Sequence, residues 1–170
     1  LMSVTPSFTY KGFTLSALFD MKFGGDVVSV SEAIATSHGI SKRTEQRGEL
    51  LLPGMNEDGT VNTQRIDAQL FYQAVGGRQQ AVAEEFVYNA SFIRLKEISF
   101  GYSFPSLLLR KTPVSSLRVS FVGRNLAYLM KHTPGTSPEG GYDTSMFSQA
   151  LDFSSLPYSR TFGFSINVGF

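Results

Sequence analysis

Apolar and polar residues alternate without an error over Thr161-Phe162-Gly163-Phe164-Ser165-Ile166-Asn167-Val168-Gly169-Phe170. Successive side chains of a strand point to opposite faces, so this segment has one apolar face (Phe162, Phe164, Ile166, Val168, Phe170) and one small or polar face. The pattern predicts a strand over about 158–170, near the roughly ten residues that a tilted strand needs to cross a bilayer. A terminal strand of this kind, with Phe170 at its end, suggests the closing strand of an outer-membrane β-barrel.

Three further strands follow from the same periodicity. Over about 13–23, Phe13, Leu15, Ala17, Phe19, Met21 and Phe23 share one face, and both charges, Asp20 and Lys22, fall on the other. Over about 91–104, Ile98, Phe100, Tyr102 and Phe104 share a face; Arg94 and Lys96 fall in the apolar phase. They are placed above the hydrocarbon, where basic side chains can snorkel, a phase-changing β-bulge being the other option. Over about 117–128, Leu117, Val119 and Phe121 oppose Arg118, Ser120 and Arg124, and the phase blurs after Phe121.

Two long polar tracts separate these strands. Residues of about 26–90 are turn-rich around Pro53-Gly54 and Asn56-Glu57-Asp58-Gly59. Ile66, Leu70, Phe71 and Ala74 predict a helix between Thr63 and Val75, with Asn62 or Thr63 as N-cap and Gly76-Gly77 as its stop. Residues of about 129–157 form the second loop. Barrels have long extracellular loops and short periplasmic turns, so both tracts are expected outside and the final strand is expected to end in the periplasm. Four strands cannot close a barrel. The chain is therefore expected to be a C-terminal piece of something larger, with a missing front longer than a signal peptide.

Composition agrees with this picture. Charged residues make up 17% of 170, below the roughly 25% of soluble domains, and a net charge of +1 with scattered basic residues gives no nucleic-acid footprint. There is no Cys and no apolar run long enough for a transmembrane helix. His38 and His132 lack metal-ligand spacing. Glu84-Glu85 and the other carboxylates lack a calcium-loop pattern. No catalytic residue, metal or cofactor is expected. The loop aromatics Phe71, Tyr72, Tyr142 and Phe147 are the candidate substrate or partner contacts, while Asp20, Arg118 and Arg124 should point into the lumen. The rival architectures are a passive porin-like barrel and a soluble β-sandwich such as a carbohydrate-binding module.

Ordered sequence blocks resemble one family. Asn89-Ala90-Ser91-Phe92-Ile93-Arg94-Leu95-Lys96-Glu97-Ile98-Ser99-Phe100-Gly101-Tyr102-Ser103-Phe104-Pro105 is similar to its "aSflRLknvtLgYtlP" stretch. Val119-Ser120-Phe121-Val122-Gly123-Arg124-Asn125-Leu126 resembles "v.vsgqNL", and the stretch from Leu156 to Phe170 resembles "yPlpRtftfGlnvtF". Tyr10-Lys11-Gly12-Phe13 and Phe23-Gly24-Gly25 match "YKgf" and "fGg". Ser137 stands where "DPE" has Asp, and Ser159 where Pro is common. The family is the SusC/RagA group of TonB-dependent outer-membrane transporters of Bacteroidetes. The resemblance implies an all-β fold: the last four antiparallel strands of a transmembrane barrel of about 22 strands with a plugged lumen. It implies a nutrient importer of glycan oligosaccharides or peptides. Its expected partners are the rest of the barrel and its plug, membrane lipid, a SusD-like surface lipoprotein, TonB through the missing N-terminal region, and the barrel-assembly machinery, which reads the terminal Phe strand.

Overall fold

The computed structural model describes residues 1–170 except 80, 143, 144, 146 and 147. In chain order its elements are β1 (Met2–Val4), β2 (Ser7–Tyr10), β3 (Phe13–Lys22), β4 (Asp26–Ser29), α1 (Val30–Ser37), β5 (Glu49–Leu51), β6 (Arg65–Asp67), α2 (Ala68–Val75), β7 (Val87–Asn89), β8 (Phe92–Ser103), α3 (Ser106–Leu109), β9 (Ser116–Lys131), β10 (Leu151–Asp152) and β11 (Thr161–Gly169). The chain divides into two compact units. One holds residues 1–25, 90–132 and 158–170; the other holds 26–89 and 133–157.

The first unit is one antiparallel sheet in which β1 and β2 pair with β3, followed by β8, β9 and β11. The expected four strands become five strand positions. Residues 2–10 pair with β3 in one register, Met2 opposite Met21, Val4 opposite Phe19, Phe8 opposite Leu15 and Tyr10 opposite Phe13. The ladder is interrupted at Pro6, which has no N–H to donate; its carbonyl still accepts the Ala17 N–H at 3.1 Å. Lys11 and Gly12 close this hairpin with φ of 46° and 89°, the two left-handed positions of a type I′ turn. β9 runs longer than expected, and β11 starts at Thr161 rather than near Tyr158, with Phe170 just past its end.

Register resolves the blurred phases. Lys96 is an extra residue in β8: Leu18 pairs with Glu97 and Phe19 with Leu95. The bulge flips the alternation, so Arg94 lies opposite Asp20 on the polar face instead of extending above an apolar one. The expected snorkelling placement is thus replaced by the bulge. In β9, Asn125 takes φ of 54° beside the same irregularity, and a second shift follows between Ile93 and Arg94. Gly123, which lies in the apolar phase, makes room: a Cβ there would stand 3.2 Å from the Phe162 ring.

The second unit has its own core. Residues 26–90, expected to hold a single helix among turns, contain among the described residues four short strands, two α-helices and two short 3-10 helices. β4 pairs with β7 and β10, and β5 pairs with β6. Ser29 caps α1 by accepting the Glu32 N–H, and Asp67 caps α2 by accepting the Leu70 N–H, in place of the expected Asn62 or Thr63. Leu50, Ala68 and Tyr72 form a core with Leu52, Ile66 and Phe71 packed on it. Gly76 does more than stop α2. A Cβ there would lie 2.7 Å from the Ala33 carbonyl, so glycine allows the α2 end and α1 to meet.

Candidate functional site

The sheet carries two chemically opposite faces, and paired residues of neighbouring strands lie on the same side. One face holds continuous apolar rows. Phe8, Leu15, Phe100, Phe121 and Phe164 run across all five strand positions, as do Tyr10, Phe13, Tyr102, Val119 and Ile166. Ala17, Ile98, Gly123 and Phe162 form a third row, and Leu117 pairs with Val168. The rings touch along these rows: Phe13 and Tyr102 centroids are 4.5 Å apart, and Phe121 and Phe164 5.4 Å. These side chains are open, Phe164 to 79%. Burying a Phe contributes ~1.5–3 kcal/mol, so this face is stable only against an apolar medium or partner.

The opposite face is small and polar. Its rows are Thr9, Thr14, Gly101, Ser120 and Ser165, then Ser7, Ser16, Ser99, Val122 and Gly163. Asp20, Arg118 and Arg124 lie on this same face, at register positions opposite Arg94, Asn167 and Glu97 respectively. Arg124 Nε donates to Glu97 Oε2 at 2.8 Å in the open. Asp20 is the buried hub: its carboxylate accepts from Ser3 Oγ (2.8 Å), Arg94 Nη2 (3.2 Å) and Lys96 Nζ (2.8 Å). The Arg94 guanidinium also lies 5.0 Å from the Tyr158 ring centroid and 5.9 Å from that of Tyr128. Five segments therefore converge on one ion pair, and the two bulges are what aim Arg94 into it. The sequence pattern singled out Asp20 but not its partners, because the bulge is invisible to a period-two count.

The loop aromatics divide. Tyr72 is a core residue, 9% exposed, whose hydroxyl donates to the Arg43 carbonyl at 3.0 Å, and it also lines a cleft between the helices. Phe71 packs edge-on against it. Tyr142 is open, edge-on to Phe153. Phe147 lies outside the described residues. Between the ends of α1 and α2 is a cleft of about 570 Å³ lined by His38, Arg47, Asp67, Gln69, Tyr72 and Gln73 among others. Nearby, burial pushes the Tyr88 hydroxyl above its ordinary pKa; Glu32 adds to the shift and Arg43 opposes it.

A sheet with one apolar and one polar face, its strands joined by alternately short and long connections, has the two-faced pattern of a β-barrel wall. The particular relatives agree. The chain is 29% identical over 98% of its length to a TonB-dependent receptor of Formosa agariphila, of which it spans 16%. It superposes on the RagAB peptide transporter with a TM-score of 0.61 and 22% identity, covering 94% of this chain and 16% of that one. A second structure, the RagAB peptide importer in its open-open state, gives 0.60 and 20%, covering 98% and 17%. No protein-family model matches the chain. The similarity to a TonB-dependent receptor thus runs over nearly the whole chain, which spans about a sixth of its relatives' length.

Proposed function

We propose that the sheet is a section of the wall of a closed, plugged outer-membrane barrel of about 22 strands, part of a TonB-dependent importer of oligosaccharides or peptides that works with a SusD-like lipoprotein. The observation that carries this is the unbroken apolar band across five strand positions, with charged side chains on the opposite face. In lipid the band is satisfied where it stands, and the face with Asp20, Arg118 and Arg124 lines the lumen against the plug. Both sheet edges, β1–β2 and β11, have no further strand among the described residues. Open edges are not tolerated in hydrocarbon, which supports a wall continuing on both sides. The connections at 11–12 and 104–115 are the periplasmic turns, and the two long ones are extracellular. Phe162, Phe164, Ile166, Val168 and Phe170 serve as the strand read by the assembly machinery. Plug and TonB contact belong to a region outside these residues.

The test is a pair of neighbours in the full-length protein. Phe164→Arg puts a cation on the lipid face, at a cost of ~2–4 kcal/mol near the midplane, while Ser165→Arg puts it in the lumen. Heat-modifiable barrel in outer-membrane fractions is expected to fall sharply for the first and stay near wild type for the second. Equal behaviour of the two would overturn the facing.

A further inference from the structure

The cleft between the ends of α1 and α2 is one half of a longer groove. A second cleft of about 450 Å³ shares Ser37 and Gln73 with it and continues past Gly76 and Gly77 to Arg78. An arginine therefore stands at each end, Arg47 and Arg78, and neither makes an ion pair among the described residues. Both are held in place without losing their charge. Arg47 Nη2 donates to the Gly39 carbonyl at 2.7 Å, and the Arg78 guanidinium lies 4.9 Å from the Phe153 ring centroid. Gly39 itself takes φ of 69°, a left-handed conformation that favours glycine, and Arg47 Nη1 packs close against it. Between the arginines lie planar polar groups, the Gln69 and Gln73 amides and the Asp67 carboxylate, which together donate and accept.

The groove lining is mixed: Tyr72 is its aromatic lining residue, and Ala68, its aliphatic one, is 2% exposed. Past Arg78, Phe153 meets Tyr142, whose ring is 60% exposed and offers a flat apolar face. Paired guanidinium forks select carboxylate or sulfate oxygens, amides select hydroxyls, and an open ring accepts the flat face of a pyranose. We propose that this groove is a binding subsite for an acidic oligosaccharide, carboxylated or sulfated, extended from Arg47 to Arg78. An acidic peptide shares the charge, but the Gln69 and Gln73 amides and the open Tyr142 ring favour the sugar.

The subsite rests on the importer reading, and the experiment separates the two. Calorimetric titrations of detergent-solubilised full-length protein use tetragalacturonate, a chondroitin sulfate tetrasaccharide, neutral cellotetraose and tetraglutamate. At least one acidic tetrasaccharide is expected to bind more tightly than cellotetraose and tetraglutamate. The doubly substituted Arg47→Gln, Arg78→Gln protein is expected to bind it at least tenfold more weakly while remaining a heat-modifiable barrel. The subsite is overturned if neither acidic sugar binds a properly heat-modifiable protein, if the double substitution leaves affinity unchanged, or if tetraglutamate binds equally well. A protein that forms no heat-modifiable barrel overturns the importer reading, and the subsite with it.

Discussion

The two units of this chain solve opposite solvation problems. In the loop unit Val27, Ala33, Leu50, Ala68, Tyr72 and Phe86 are buried, and its buried polar groups include Ser29 and Asp152, hydrogen-bonded to each other at 2.7 Å. In the sheet unit Ala90 and Phe92 are the buried apolar residues among those described, while Phe8, Phe100, Phe162 and Phe164 stand on the surface. What is buried there is an ion pair, Asp20 with Arg94. A water-soluble fold hides its apolar groups and solvates its charges; the sheet does the reverse. One chain therefore contains a unit folded against its own core and a unit whose apolar face is left open.

Substitutions can break this contrast. The largest effect is expected at Phe86, 1% exposed beneath the Arg43 guanidinium. Phe86→Ala should lower loop-unit stability by ~3–5 kcal/mol, measured as lost hydrogen-exchange protection over 26–89. Phe164→Ala in the same assay should leave that protection intact; a similar loss from both would erase the distinction between the units. Next is Asp20→Ala, which removes the buried carboxylate that Arg94, Lys96 and Ser3 all bond and should cost about 3 kcal/mol. Urea unfolding of the reconstituted protein would show it, and an effect no larger than that of Arg124→Ala, an exposed pair, would contradict the hub.

Smaller effects sharpen the loop unit. Ser29→Ala removes the α1 cap and the hydroxyl that Asp152 accepts from, and should cost ~1–2 kcal/mol. Protease resistance near Ser31 and Ser154 would report it. The smallest is a pH effect. Because the Tyr88 hydroxyl has a raised pKa in the fold, the unfolded chain releases that proton first as pH climbs beyond the ordinary tyrosine value. Stability should therefore be intact below about pH 10 and decline above it, and Tyr88→Phe should decline less in thermal melts taken over that range.

How much of this was legible depends on local regularity. β3 and β11 alternate cleanly, so their faces could be read directly. The residues 2–10 carried the same signal, with Met2, Val4, Phe8 and Tyr10 alternating with polar neighbours and Lys11-Gly12 marking the turn, but Pro6 interrupts it. β8 and β9 were found, yet the bulges at Lys96 and near Asn125 flip the phase, which depends on pairing with neighbours rather than on the segment itself. The Ser29-Val30-Ser31-Glu32 start of α1 is a capping-box pattern that went unused; in the fold Glu32 N–H reaches Ser29 while its carboxylate accepts from Ser41 instead. The groove was not legible, since Arg47 and Arg78 are brought together only by the packing of α1 and α2. Tyr72 could not be sorted in advance, because an aromatic on a helix looks the same in sequence whether it faces the core or a cleft.

The most direct test of a lipid-facing wall uses the absence of cysteine from these residues. Single cysteines placed in turn at 161–169 of the full-length protein, spin-labelled and reconstituted in liposomes, report collision with oxygen dissolved in lipid or with a water-soluble nickel chelate. Labels at 162, 164, 166 and 168 should favour oxygen and those at 161, 163, 165, 167 and 169 the chelate, alternating residue by residue. Equal access of the chelate to 162, 164 and 166 would contradict the account.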